Sequence, residues 1–152
     1  MAYVFLPFAA GYYLAYLFRT INALISGPLQ VEQGLDAADL GFLTSVYFLV
    51  FAAAQIPIGI FLDRFGPRRV QSGLLLIAAG GAAVFAVSTG FVPLLIGRAM
   101  IGLGVAAALM AGLKAIAMWF PRDRVAQLNG YMVMLGGLGA VTATAPAEAL
   151  LA

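Results

Sequence analysis

Cysteine and histidine are both absent from the 152 residues, and only eight basic and six acidic side chains are present. Without cysteine there are no disulfides, no thiolate metal sites and no cysteine nucleophile. Without histidine the commonest acid–base group and metal ligand is missing, so neither a metal nor a cofactor is expected. An enzyme is expected least of all. Charged residues make up 9% of the chain and hydrophobic ones 64%, against about 25% and about half in an ordinary soluble domain. No water-soluble fold of this length buries so much apolar surface, so bilayer lipid must be its solvent. The net charge of +2 is too small to argue for nucleic acid. Where the charges lie matters more than their sum.

Five segments reach the roughly 20 mostly apolar residues that a membrane span needs. They are about 4–26, 40–62, 70–89, 91–117 and 125–150, rich in Ala, Leu, Gly, Phe and Met. Barrel strands would instead alternate in polarity over short segments. The expected fold class is therefore all-α, a polytopic transmembrane helix bundle. The first span has no basic leader and is interrupted by Arg19, so it does not read as a signal peptide.

The connections orient the spans. The first, "GPLQVEQGLDAAD", holds Glu32, Asp36 and Asp39 and no basic residue; Asp36 followed by Asp39 resembles a helix N-cap. The second holds Arg64, Arg68 and Arg69, and the fourth Arg122 and Arg124, with Lys114 just upstream. Basic connections stay inside, so the N-terminus is expected in the cytoplasm and the end of this chain outside, in the inner or plasma membrane. Lys114, near Trp119 and Phe120, most simply snorkels toward the cytoplasmic interface.

The densest charge lies in "GIFLDRFGPRRV". Gly66 suits the positive φ of a tight reversal and Pro67 the first position of the next helix. A topology signal accounts for the arginines but not for Asp63, nor for Gly59 one helical turn before it. An acid among arginines at a membrane edge suggests ion pairs that are made and broken.

The pattern Gly59-x-x-x-Asp63-Arg64-x-Gly66-x-Arg68-Arg69, between the second and third spans, resembles the signature loop of the major facilitator superfamily. Arg98-x-x-x-Gly102-x-Gly104 in the fourth span is similar to that family's second motif, and "FPRDRVAQLNG" before the fifth is also familiar from it. The resemblance covers essentially the whole chain, residues 1–152, as part of an N-terminal six-helix half. It implies a secondary transporter of a small solute, working by alternating access between two halves. The acid corresponding to Asp63 would latch one state against the other half, Arg64 and Arg69 would shape its charge cluster, and Gly59 and Gly66 would permit close approach. The arginine corresponding to Arg98 would lie in the central cavity. A complete member has about twelve spans, so the partners expected are the bilayer, the solute and the remaining helices. A small protein that assembles with other chains is the alternative. The fifth span departs from the antiporter pattern: Gly136, Gly137 and Gly139 suit helix packing, but Pro146 comes seven residues after Gly139.

Ionisable residues inside a membrane call for a role. Arg19 and Arg98 sit at similar distances from the outer ends of their predicted spans. Tyr12, Tyr16, Asn22 and Ser26 follow Arg19's side of the first span at i,i+3/i+4 spacing. That makes a polar stripe suited to a substrate cavity. Glu148 is the acid within reach, enough for one arginine, so an anionic substrate or acids from other helices would balance the rest. The opposing reading pairs both arginines structurally with Glu148, tyrosine hydroxyls and helix carbonyls. A membrane enzyme would want a His, Cys, Ser–Lys or paired-carboxylate arrangement, and none is present. A structural or assembly protein that keeps the fold without transport remains the rival.

Overall fold

A computed structural model describes the backbone of residues 2–151 and the side chains of residues 3–20, 28, 30–32 and 34–144. The secondary structure of the described residues is all helix, with short connections: α1 (Ala2–Gln33), α2 (Ala37–Phe65), α3 (Pro67–Val87), α4 (Phe91–Val105), α5 (Ala108–Trp119) and α6 (Arg122–Leu151). Helices α4 and α5 are two pieces of one span, broken at Ala106–Ala107. Among the described residues, Ala37–Phe65, Pro67–Val87 and Phe91–Trp119 are long and apolar enough to cross a membrane. The remaining two helices, α1 and α6, run for 32 and 30 residues. Exposed large side chains such as Ile56 (77%), Leu76 (74%) and Val87 (81%) face outward from the bundle, as lipid-facing positions do.

Helix ends follow local chemistry. Asp36 caps α2: its carboxylate accepts from the Asp39 N–H at 2.7 Å, while the Asp39 carboxylate accepts from the Asp36 N–H at 3.2 Å. The two acids thus satisfy each other's free backbone donors at a membrane edge. Between α2 and α3 the linker is Gly66 alone, with φ 80° and ψ 158°; its N–H donates to Leu62 O and its carbonyl accepts from Val70 N. Pro67 then opens α3 at no hydrogen-bond cost. One expectation fails here. Helix α1 runs on to Gln33, so most of the predicted first connection is helical, and only 34–36 joins it to α2. That extension sets Arg19 further from its helix end than Arg98 is from Phe91, which removes the matched-depth argument.

Small residues set the packing, as expected where lipid leaves dispersion and close approach to hold helices together. Helix α3 lies along α4 with Gly81 and Gly97 in mutual contact and Gly104 against Ala78 and Leu74. Gly102 brings α4 against Tyr47 of α2, 2.7 Å from a Cβ position to the Tyr47 carbonyl. Along α1 and α6, Gly136 meets the Tyr12 ring, Gly139 the Tyr13 carbonyl, and the Tyr13 hydroxyl hydrogen-bonds Thr142 Oγ1 at 2.6 Å. Gly137 was expected to pack with its neighbours and does not: nothing lies within 4 Å of its Cβ position. Gly136 and Gly139, three apart, share the face turned to α1, and Gly137 falls off it. Gly59 likewise meets nothing in this chain, so the close approach expected there is not made by the described residues.

Candidate functional site

Three of the six residues expected in a cavity are found in one. Tyr12, Tyr16 and Arg19 of α1 meet Tyr47, Phe48 and Phe51 of α2 across a cavity of about 130 Å³, closed by the α4/α5 break at Ala106. Their spacing on α1 keeps them on one face. The Tyr12 and Tyr16 rings meet edge to face at 5.0 Å, and the Arg19 guanidinium lies 5.1 Å from the centre of the Phe48 ring. Among the described residues, Arg19 forms no ion pair. Weakly hydrated and planar, a guanidinium tolerates an aromatic wall and keeps its in-plane donors free. An aromatic-lined cavity with one such fork can hold a small planar anion.

The broken span contributes backbone. At the break, Ala106 N–H bonds back only to Leu103 O, and the Ala106 carbonyl accepts a 3.4 Å hydrogen bond from Gln55 Nε2. The same amide nitrogen reaches Phe51 O at 3.2 Å. Irregular backbone at membrane depth is tolerated where protein partners satisfy it or where it lines a cavity, and here both apply. Gln55 was missed by the sequence reading. A lone carboxamide inside an otherwise apolar span was the available signal, since such groups bridge helices.

Arg98 does not line this cavity: only 3% exposed, it lies against the Tyr47 ring at 5.3 Å and the Phe85 ring at 5.6 Å, joining α4 to α2 and α3. Arg98 and Gly102 are one turn apart on α4. The glycine that presses α4 onto Tyr47 therefore carries Arg98 onto the same ring. Tyr47 thus lines the cavity and also packs against Arg98. The expected roles of Asn22 and Glu148, like that of Ser26, fall on side chains outside the described residues.

The loop residues gather at the far end of α2. Asp63 is paired not with an arginine but with Lys114 of α5, whose ammonium donates to the Asp63 carboxylate. Lys114 thus does more than reach for the interface: it ties α5 to the α2–α3 turn. Arg64 instead stacks over Phe65 at 5.4 Å, and Arg68 and Arg69 are exposed on the first turn of α3. With the side chains 28% and 79% exposed, this pair belongs to the class that contributes about 0–1 kcal/mol. It is easily exchanged for another partner.

A family model described as Major Facilitator Superfamily matches residues 8–152. The chain is 33% identical, over 70% of its own length and 25% of the relative's, to a probable galactarate/D-glucarate transporter of Pseudomonas putida. It is 36% identical to a nitrate/nitrite transporter of Picosynechococcus sp., over 71% of this chain and 20% of the relative. A probable sulfoacetate transporter of Cupriavidus necator is 31% identical over 72% and 26%. This chain therefore spans about a quarter of the length of these relatives. The helical bundle, the loop between α2 and α3 and a family match running from Phe8 onward agree: the chain belongs to the major facilitator superfamily.

Proposed function

We propose that this chain forms helices of the N-terminal half of a secondary transporter that moves a small anionic solute by alternating access. The observation carrying this reading is Arg19, set against an aromatic wall in a cavity and free of any ion pair among the described residues. Ligand sites usually enclose about 300–1,000 Å³, so a cavity of about 130 Å³ suits one anionic group of the solute. Helices beyond this chain would receive the rest. The names of three relatives print galactarate/D-glucarate, nitrate/nitrite and sulfoacetate, all anions, which supports the same chemistry. Asp63 would act at the loop as a conformational latch, exchanging Lys114 for a contact with the other half.

Both roles are tested in the transporter containing this chain, by solute binding and uptake side by side. Arg19→Lys keeps the charge but loses the planar fork, and anion affinity should fall about tenfold, near 1.4 kcal/mol. Asp63→Asn should leave binding intact and slow uptake. Unchanged anion affinity in Arg19→Lys would remove the anion role, and normal uptake in Asp63→Asn would remove the latch. The rival, an assembly protein that keeps the fold without transport, predicts no solute binding at all.

The basic end of the bundle would face the cytoplasm of the inner or plasma membrane. Single cysteines at the exposed positions Glu32 and Ser72 test this with an impermeant thiol reagent applied to intact cells. Glu32→Cys should label and Ser72→Cys should not. The opposite pattern inverts the orientation.

A further inference from the structure

The cavity at Arg19 is walled by α1, α2 and the broken α4/α5 span, and among the described residues none of α6 lines it. Helix α6 nevertheless touches one of its walls from behind. A Cβ at Gly136 would lie 2.9 Å from Tyr12 Cδ1 and 3.1 Å from Tyr12 Cζ, with Cε1 closer still. The atoms nearest to that position all belong to the one ring. A bare glycine at this point of α6 is what lets the Tyr12 ring lie back against the helix.

The neighbours decide what yields to a methyl group there. The helices are pinned on both sides of Gly136. Further along α6, Gly139 sits against the Tyr13 carbonyl and the Tyr13 hydroxyl hydrogen-bonds Thr142. One turn earlier, the fully buried Met132 reaches Gly112 of α5. Moving α6 away would break these contacts together, whereas a tyrosine ring can swing about its own side-chain torsions. Tyr12 is only 6% exposed, and on another side its ring meets Tyr16 edge to face at 5.0 Å. The empty space beside it is the cavity of about 130 Å³, so a ring driven off α6 goes there. We infer that Gly136 is a positioning residue acting through Tyr12: it sets the width of the Arg19 cavity, and so the bulk of the anionic group that enters. The ligand class rests on the reading of Arg19 as an anion fork, whereas the width does not.

Leu109 also lines the cavity, so a thiol introduced by Leu109→Cys reads access to it. In the transporter containing this chain, with any other cysteines replaced, the thiol is treated with ethyl, 2-carboxyethyl and 4-carboxybenzyl methanethiosulfonate. Each rate is divided by that of the same reagent with free mercaptoethanol. The two carboxylate reagents differ in width at equal charge, and the ethyl and carboxyethyl reagents differ mainly in charge. Adding Gly136→Ala should raise the carboxyethyl-to-carboxybenzyl ratio about tenfold, the discrimination that a small change of fit gives an apolar wall. The carboxyethyl-to-ethyl ratio should not move. Tyr12→Val should lower the width ratio by itself and cancel the effect of Gly136→Ala in the double variant. Gly81→Ala crowds α3 against α4, away from the cavity; it should lower the unfolding midpoint and leave both ratios alone. An unmoved width ratio in folded Gly136→Ala, an equal shift in Gly81→Ala, or an effect that persists beside Tyr12→Val would each overturn the role of Gly136. So would a Gly136→Ala variant that fails to fold, because the helices rather than the ring would then carry the strain. Equal rates for the ethyl and carboxyethyl reagents would instead remove the anion and leave the width.

Discussion

Replacing Gly104 by leucine is expected to prevent the bundle from folding. A Cβ at this position falls far inside van der Waals contact of the Ala78 nitrogen and the Leu74 carbonyl, and both are backbone atoms of α3 that no side-chain rotation can move away. Overpacking a core with yielding neighbours costs about 1–3 kcal/mol. Here α3 must separate from α4, and the contacts at Gly81 and Gly97 go with it. Whole domains are stable by only about 5–15 kcal/mol, so the leucine variant should give no monodisperse protein in detergent. Even Gly104→Ala should lower the unfolding midpoint clearly. Gly137→Ala is the matched control: its Cβ meets nothing within 4 Å, and alanine favours a helix over glycine by up to about 1 kcal/mol. Its midpoint should hold or rise. Equal midpoints for the two alanine variants would mean that α3 and α4 do not meet at Gly104.

Arg98→Ala should destabilise the fold while leaving anion binding to the folded fraction unchanged, the reverse of what a cavity arginine would do. The guanidinium lies against two rings, at 5.3 and 5.6 Å, and each such contact reaches about 2 kcal/mol when desolvated. Burying the charge opposes this, so the net cost of truncation depends on the hole left behind, and losing a large core side chain costs roughly 2–5 kcal/mol. A flexible apolar side chain of similar length, Arg98→Met, fills the space without the desolvation penalty, and should restore most of the stability. Thermal unfolding and equilibrium anion binding of the unmodified protein and both variants decide the matter. Loss of anion affinity in a well-folded Arg98→Met would return Arg98 to the cavity.

The features legible in the sequence were those with strong local causes. Span-length apolar runs specify helices because lipid leaves no other use for the backbone. The Asp36–Asp39 cap and the Gly66-Pro67 turn are written in three or four adjacent residues. Tyr12, Tyr16 and Arg19 could be placed together because helical spacing alone aligns them. What could not be read depends on neighbouring helices. Residues 106–108 are three alanines, which by themselves continue a helix; the carbonyl freed at the break is met by Gln55, 51 residues away in sequence. Arg98 was expected in a cavity from its motif and from the tendency of intramembrane charges to face the bundle interior. Its direction is set by Gly102, which presses that face of α4 onto Tyr47. Lys114 was read as a lone snorkelling cation because nothing in its own helix pointed to Asp63.

The single-residue linker at Gly66 has a mechanical corollary. Hydrogen bonds on both sides of it, to Leu62 and from Val70, leave no slack chain to absorb a displacement. Helices α2 and α3 are coupled like the two arms of a crank: tilting one arm swings the other. A force felt at Asp63 therefore reaches the far end of α3 as leverage over 21 residues rather than dissipating in a loop. Adding one residue at this joint would rotate α3 by about 100° about its own axis, given 3.6 residues per turn, and would disengage the crank while leaving every charge of the loop in the chain.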